Sequence, residues 1–332
     1  MIDDLMRPSA YPDAIKKITL AQTHISTVFI GDEFVYKIKK PVNFGFLDFS
    51  TLEKRKYYCK KEVELNSRFS KGIYLGVYPV TFDGKNYSID GKGDIVDYAV
   101  KMRRLSDEDL MKSRFKKGTV NSEDINRVGK AIAVFHKISK RSKEIDEFGK
   151  LEVVKFNTDE NFQQTAEFIG DSISKKQYNT LKNWTDKFYK EYQELFTQRI
   201  KDGKIRDCHG DLHMEHICLT DPIIIFDCIE FNDRFRYSDI VSDIAFLLMD
   251  LEFNGGKKFS EQLCKAYLNH TGEKDDDVIF QLINFYKVYR AYVRGKVTSF
   301  MLKDSAMPED KKIAIKDTAQ RYFALAHSYI SE

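Results

Sequence analysis

The period of the apolar residues changes near residue 105, and this change constrains the fold more than any other feature. Before it, the segments 26–40 ("STVFIGDEFVYKIKK") and 75–89 ("LGVYPVTFDGKNYSI") alternate around short turns, which predicts β-hairpins. Residues 96–105 predict a further strand. Helical spacing then predicts helices at 123–139, 174–199, 238–251, 259–270, 276–300 and 310–330. The sequence therefore predicts an α+β fold, in which an antiparallel sheet precedes a mostly helical part.

One helix is predicted within the sheet region, over residues 50–72. Ser50 at the N-cap and Glu53 three residues later form a capping-box pattern, and Gly72 closes a helix of about five turns. A length of 332 residues favours two lobes or domains. We expect residues 1–103 to form a sheet lobe with one helix, and residues 104–332 to form a helical lobe.

Composition narrows the class of protein. A net charge of +3, from 54 basic and 51 acidic residues, is too balanced to indicate a nucleic-acid or membrane surface. The N-terminus lacks the apolar segment of a signal peptide, and apolar runs are too short to span a bilayer. The five cysteines form no C-x-x-C pair, which favours reduced thiols in a cytoplasmic protein. We expect neither nucleic acid nor membrane as a partner.

Ionisable residues are concentrated in "RDCHGDLHMEHICL" (206–219). The apolar residues "ICL" (217–219), at the end of this segment, and "IIIF" (223–226) predict two short strands. A turn at 220–222 joins them. A hairpin brings its two ends together, so Asp211 before it and Asp227 after it are expected to converge. Two carboxylates flanked by His209 and His216 make a site for Mg²⁺ with a phosphate substrate plausible.

These motifs resemble a known family. "HGDLHMEH" is similar to the H-G-D-x-x-x-x-N catalytic loop of the aminoglycoside-phosphotransferase branch of the protein-kinase-like superfamily. "IIIFDCIEF" resembles the following strand with its metal-binding Asp, and "YSDIVSDIAFLL" resembles the next helix. "YKIKKPVNFGFLDFST" (36–51) resembles a bacterial subgroup, some members of which carry an additional C-terminal P-loop kinase domain. No G-x-x-x-x-G-K-[ST] is present, so we expect that domain to be absent.

The resemblance covers nearly the whole chain and implies a bilobal protein-kinase-like fold with a nucleotide site. Lys37 would contact the phosphates of ATP and be held by Glu62, with Lys39 as the alternative lysine. The strand "VKMRRL" would be the hinge, where backbone groups from Lys101 to Arg103, including Met102, would hydrogen-bond adenine. The turn "AQTHISTVF" (21–29) lacks glycine, so its backbone N–H groups and Ser26 or Thr27 would cover the phosphates.

The resemblance also implies the catalytic roles. Asp211 would accept or orient the proton of the attacking hydroxyl, and Asp227 would bind Mg²⁺. His209 would brace the loop, and Asp243 would accept its backbone N–H groups. His213 would face solvent or contact substrate.

His216 departs from the family pattern, because it stands at the Asn position. It could ligate a metal, in which case Mn²⁺ suits an imidazole better than Mg²⁺ does. It could instead hydrogen-bond Asp211 and orient it, or it could mark a site that has lost catalysis. The residues leave these three interpretations open.

The function expected from the sequence is ATP-dependent transfer of the γ-phosphoryl group to a hydroxyl of a small-molecule acceptor. A nucleotide-binding pseudokinase that acts as a scaffold is the first alternative. A zinc enzyme built from His209, His213, Cys208, Cys218 and Cys228 is a weaker one, because ten-residue spacings do not fit a zinc site.

Overall fold

The strands lie in the N-terminal region and in the region around residues 206–219, where ionisable residues are concentrated. The computed structural model describes residues 1–274, 276–304 and 307–331. Its strands are β1 (Thr19–Gln22), β2 (Ser26–Ile30), β3 (Phe34–Lys39), β4 (Tyr74–Phe82), β5 (Tyr87–Ile89), β6 (Asp94–Arg103), β7 (Ile205–Asp207), β8 (Ile217–Cys218), β9 (Ile224–Ile225) and β10 (Tyr237–Asp239).

The helices lie mostly after residue 110, as the change of period predicts. They are α1 (Ile2–Leu5), α2 (Leu52–Asn66), α3 (Met111–Lys116), α4 (Ser122–Ile138), α5 (Lys143–Asp146), α6 (Leu151–Thr165), α7 (Lys175–Glu191), α8 (Gln193–Lys201), α9 (Asp233–Arg236), α10 (Ile240–Phe253), α11 (Lys257–Thr271), α12 (Asp277–Phe300) and α13 (Glu309–Ser328). The predicted α+β class is confirmed. Among the described residues, none of these helices combines the length and hydropathy needed to cross a bilayer.

The described chain divides into two compact units by its internal contacts. The first, here called the sheet unit, comprises Met1–Thr119 and Glu215–Asp233. The second, the helical unit, comprises Val120–Met214 and Arg234–Glu332. The β8–β9 hairpin and Asp227 therefore belong to the sheet unit, whereas Asp211 belongs to the helical unit. The lobe boundary expected at residue 103 stays a prediction.

The sheet of the first unit is antiparallel, with the strand order β1-β2-β3-β6-β4-β5. Alternation along β3 directs Tyr36 and Ile38 into an apolar core with Phe29 and Ala99. Lys37 and Lys39 consequently share the opposite face of the strand.

Helix α2 begins and ends differently from the sequence prediction. Its N-cap is Thr51, whose Oγ1 accepts the Lys54 N–H at 3.2 Å. Ser50 is not the cap because Asp48 accepts both its N–H, at 3.0 Å, and its hydroxyl, at 2.5 Å. The helix ends at Asn66, so its 15 residues make about four turns, not five. Its buried face includes Cys59 and Glu62.

The helical unit is organised around α10, whose residues 240–251 are all buried. Phe246 and Met249 of this helix pack in one core with Val288 of α12 and Phe323 of α13. Two elements differ from the prediction. Helix α6 was not predicted, because its apolar residues are irregularly spaced. The helix predicted over 174–199 is divided at Tyr192 into α7 and α8.

Candidate active site

A lysine and two carboxylates meet in the sheet unit. Lys37 Nζ on β3 lies 2.9 Å from Glu62 Oε1 on α2 and 2.7 Å from Asp227 Oδ1, just after β9. Glu62 is fully buried, whereas the Lys37 side chain is 15% exposed and that of Asp227 39%. Burial opposes charge on Lys37, but Asp227 and Glu62 outweigh it and raise the pKa of Lys37 well above its usual value. Lys37 is therefore a firmly cationic group beside a partly accessible carboxylate.

Lys39 also contacts Glu62, but it occupies a different environment. Its Nζ lies 2.6 Å from Glu62 Oε2 and forms a second ion pair with Glu230. The Lys39 side chain is 1% exposed. The structure thus separates the two lysines that the sequence offered for one role, and only the pairing of Lys37 includes the partly exposed Asp227. The phosphate-binding role of Lys37 stays a prediction that this difference favours.

The backbone of Asp227 has an unusual conformation, with φ of 61°. Positive φ is uncommon outside glycine, and Asp tolerates it better than most residues. The Asp227 N–H donates to the Tyr74 hydroxyl at 3.1 Å, and the Cys228 N–H donates to Asn66 Oδ1 at 2.9 Å. The hydrogen bonds donated by Asp227 and Cys228 therefore hold this backbone conformation. They fix the backbone from which the Asp227 side chain extends. Sequence reasoning missed Tyr74 and Asn66, because each is more than 150 positions from its partner.

His216 lies beside the same carboxylate. Its Nε2 is 3.5 Å from Asp227 Oδ2, and its side chain is 14% exposed. The Phe226 N–H donates to the His216 carbonyl oxygen at 3.0 Å, which holds this end of the hairpin. Carboxylate oxygens suit Mg²⁺, and an imidazole nitrogen suits Mn²⁺ and later metals. The donor set fits a divalent cation held by Asp227 and His216, and the role of His216 stays a prediction.

An apolar group of side chains in the sheet unit includes Phe226, the residue that precedes Asp227. Half-buried Met102, Leu105, Ile224 and Phe226 pack against a cluster that includes buried Val100. Side chains of this kind can line one face of a nucleobase.

Two backbone N–H groups of the predicted hinge already donate hydrogen bonds within the protein. The Arg103 N–H donates to the Ile73 carbonyl at 2.8 Å, and the Arg104 N–H donates to the Glu33 carbonyl at 2.7 Å. The Met102 side chain belongs to the apolar group, whereas the Arg103 N–H is already engaged. The adenine-binding roles of Met102 and Arg103 stay predictions.

Ser26 lies at the start of β2, next to the turn between β1 and β2. It is 1% exposed, and its N–H donates to Thr23 Oγ1 at 3.0 Å. The same oxygen accepts the Ile25 N–H at 3.3 Å, which shapes the turn. Burial keeps the Ser26 hydroxyl from solvent, and the N–H groups of Thr23 and Ile25 already donate hydrogen bonds within the turn. The role predicted for Ser26 itself stays a prediction.

The loop with the H-G-D sequence lies in the helical unit and is held by Asp243. Its Oδ2 accepts the His209 N–H and its Oδ1 the Gly210 N–H, each at 2.9 Å. This confirms the role expected for Asp243. Burial opposes ionisation of this carboxylate, but the hydrogen bond from His136 and the charges nearby lower the pKa of Asp243 to about 2. The loop is therefore anchored on a buried anion.

The imidazoles around Asp211 have distinct contacts. Fully buried His209 accepts the Asp211 N–H through Nδ1 at 3.3 Å, and its bracing role stays a prediction. His213 Nε2 lies 3.4 Å from Asp211 Oδ2. His213 is 6% exposed, so the alternative that it faces solvent was wrong, and contact with substrate stays a prediction. Burial opposes charge on His213, but Asp211 outweighs it and raises the pKa of His213. The Asp211 side chain remains 33% exposed.

Sequence reasoning missed further anchors of this loop. Arg290 on α12 donates to the Gly210 carbonyl at 3.0 Å, and Asp250 accepts the Met214 N–H at 3.0 Å. Asp250 follows Asp243 by seven residues, which is two helical turns, so both lie on one face of α10. That spacing was a readable signal. Arg290 lies in a segment that reads as a core-facing helix, and its buried position gives no separate signal in the sequence.

Comparisons with known proteins identify the family of this chain. The profile of the phosphotransferase enzyme family (APH) matches residues 84–276, more than half of the chain. The chain belongs to this family. An uncharacterised protein of Mycobacterium tuberculosis and one of Mycobacterium bovis are each 33% identical over 282 residues, which is 84% of this chain. The chain spans about half the length of these curated relatives, since the match covers 54% of each.

Solved structures share the fold. The GDP and kanamycin complex of the aminoglycoside phosphotransferase APH(2″)-IIIa is 15% identical, with a TM-score of 0.56 over 96% of this chain and 97% of that one. A choline/ethanolamine kinase family protein from Mesorhizobium loti is 12% identical, with a TM-score of 0.51 over 94% and 93%. The predicted protein-kinase-like fold is therefore confirmed.

Proposed function

We propose that the protein transfers the γ-phosphoryl group of ATP to a hydroxyl group of a small-molecule acceptor. The observation that carries this proposal is Lys37, which is paired with buried Glu62 and with partly exposed Asp227. Phosphoryl transfer requires mainly positioning and neutralisation of charge. A fixed cation beside an accessible carboxylate meets the second requirement.

The residues of the sheet unit would bind the nucleotide. Lys37 would contact its phosphates, and the apolar group with Met102 and Phe226 would pack against its base. Asp227 and His216 would hold Mg²⁺ or Mn²⁺, which when bound supplies positive charge to the phosphate oxygens. The solved relative with GDP and kanamycin makes GTP a donor to test beside ATP.

Asp211 would act on the acceptor. Its carboxylate would accept or orient the proton of the hydroxyl group, a contribution of about 10²- to 10⁴-fold in other enzymes. His209 and Asp243 fix the backbone on which this carboxylate stands. Kanamycin in one solved relative, and the name choline/ethanolamine kinase of another, support a small hydroxyl-bearing acceptor. We place the reaction in the cytoplasm, since all five cysteines are free and buried.

A pseudokinase remains the second candidate, on the specific ground of His216. The family pattern has Asn at this position, and loss of that ligand can leave binding without turnover. Nucleotide affinity does not discriminate the two candidates, whereas turnover does.

The deciding experiment measures nucleotide binding and hydrolysis by the purified protein with Mg²⁺ and with Mn²⁺. Asp227→Asn is the test variant. Asp233→Asn is the matched control, because Asp233 is also a partly exposed carboxylate paired with a lysine, Lys61, at 2.7 Å. Metal-dependent binding and hydrolysis that fail in Asp227→Asn alone would support the kinase. Binding without turnover in either metal would favour the pseudokinase, and absence of nucleotide binding would refute both.

A further inference from the structure

Glu62 is shared between two lysines. Its Oε1 lies 2.9 Å from Lys37 Nζ, and its Oε2 lies 2.6 Å from Lys39 Nζ. Lys39 and Glu62 are essentially inaccessible, with side chains 1% and 0% exposed. Lys37 also pairs with Asp227, but that carboxylate is 39% exposed, so without Glu230 both ammonium groups would depend on Glu62 for a buried carboxylate. Since unpaired charge is costly in a protein interior, the two lysines would compete for Glu62.

Glu230 removes this competition. It lies three residues after Asp227, its side chain is 5% exposed, and it pairs with Lys39. The Lys39 ammonium also lies 4.9 Å from the centre of the Phe49 ring, which further occupies it. Lys39 thus has a carboxylate of its own, and Glu62 Oε1 stays directed at Lys37.

We propose that Glu230 is a positioning residue for Lys37, which acts by neutralising Lys39 and so leaving Glu62 to hold Lys37. The effect on nucleotide affinity rests on the function proposed above, whereas the effect on the position of Lys37 does not. Glu230 and Asp227 also share one short segment. This segment therefore supplies both the carboxylate that contacts Lys37 directly and the one that keeps its second partner available.

The proposal predicts that the two members of the Lys39–Glu230 pair behave differently. Replacing Glu230 with Leu leaves Lys39 with Glu62 alone, so Lys39 draws Glu62 away from Lys37. Replacing Lys39 with Met leaves Glu62 to Lys37 alone, and the isolated Glu230 becomes protonated. Both single variants lower stability, because Glu230→Leu removes one of the two carboxylates that pair with Lys39, and Lys39→Met leaves the buried Glu230 without its partner. Only Glu230→Leu disturbs Lys37.

The experiment compares the wild type with Glu230→Leu, Lys39→Met and the double variant Lys39→Met/Glu230→Leu. Thermal unfolding first identifies a temperature at which all four are folded. Calorimetry there gives the Kd for ATP with Mg²⁺ and with Mn²⁺. Crystal structures of the four proteins give the distance from Lys37 Nζ to Glu62 Oε1. Asp233→Asn serves again as the control for a lysine–carboxylate pair outside the network.

We expect Glu230→Leu to lengthen the Lys37–Glu62 distance and to raise the Kd about tenfold, a usual coupling for residues in one ion-pair network. In Lys39→Met and in the double variant, the Lys37–Glu62 distance and the Kd should stay close to their wild-type values. A Glu230→Leu protein with reduced stability but an unchanged distance would overturn the proposal, as would an equal loss in Lys39→Met. If the wild type binds no nucleotide, the proposed function fails, and the distances still decide the role of Glu230.

Discussion

Asp243 Oδ2 accepts the backbone N–H of His209 at 2.9 Å, so a buried carboxylate fixes the loop on which Asp211 stands. The pKa of Asp243 falls from 3.8 to about 2, because hydrogen bonding and charge from His136 outweigh its burial. A depressed pKa contributes stability above the unfolded value, and this is lost as the pH falls through the folded value. We predict a loss of roughly 2 kcal/mol of unfolding free energy between about pH 4 and pH 2.

Asp243→Asn tests this assignment through denaturant unfolding across the same pH range. The amide has one acceptor oxygen instead of two, so the variant should be less stable at pH 7 by roughly 2–4 kcal/mol. Its stability should also vary less between about pH 4 and pH 2. Asp317→Asn, at an exposed position on α13, is the control. An unchanged acid-dependence in Asp243→Asn would mean that other carboxylates cause it.

Gly295 on α12 gives a prediction about the core of the helical unit. A Cβ at this position would lie 2.8 Å from the ring of Phe323, which is fully buried on α13. Gly→Ala in a helix normally stabilises by about 1 kcal/mol. Here we predict that Gly295→Ala destabilises by roughly 1–3 kcal/mol, because the ring has no room to move. Denaturant unfolding measures it, and adding Phe323→Leu should recover part of the loss. A gain in stability from Gly295→Ala alone would refute the close packing.

Local sequence patterns predicted the features that depend on near neighbours. Alternation along β3 indicated that Lys37 and Lys39 share one face, and the hairpins followed from their turns. Asp243 was identified as a loop anchor only through the family resemblance, because its contact with His209 spans 34 positions. The N-cap of α2 was misassigned by one residue, since Asp48 competes for Ser50. Patterns of this kind indicate hydrogen bonds between residues that are close in sequence.

Contacts between distant segments were not predictable in the same way. Nothing in the sequence pairs Glu230 with Lys39, which is 191 positions away. The Tyr74 hydroxyl, which holds the Asp227 backbone, likewise depends on the packing of β4 beside the β8–β9 hairpin. A single sequence contains no signal for such pairs, because neither period nor spacing connects them.

Asp227→Asn should weaken metal-dependent nucleotide binding. The amide keeps the hydrogen-bonding shape but removes the charge that attracts a cation and balances Lys37. We predict a rise of more than about tenfold in the Kd for ATP with Mg²⁺, the range seen when a group that supports a metal is altered. Binding measured with excess chelator should change much less. Equal losses with and without metal would remove the proposed role of Asp227.

Asp211→Asn should separate chemistry from binding. In the proposed reaction this carboxylate acts on the acceptor hydroxyl, so its removal should lower kcat by about 10²- to 10⁴-fold. The Kd for ATP should change by less than about threefold, which is under 1 kcal/mol. Single-turnover transfer and calorimetry measure the two quantities once an acceptor is found, and slow hydrolysis of ATP can replace transfer until then. A comparable loss of nucleotide affinity would contradict the assignment.

His216→Asn discriminates the interpretations of this unusual residue. If His216 ligates the metal beside Asp227, an amide oxygen in its place should favour Mg²⁺, whereas the wild type should work better with Mn²⁺. The ratio of hydrolysis rates in the two metals should therefore shift toward Mg²⁺ by about tenfold. If His216 orients Asp211 instead, the rates should fall by the same factor in both metals. His270→Asn, at an exposed position near the end of α11, should change neither rate. A gain of turnover in His216→Asn, starting from an inactive wild type, would identify His216 as the residue that silences a pseudokinase.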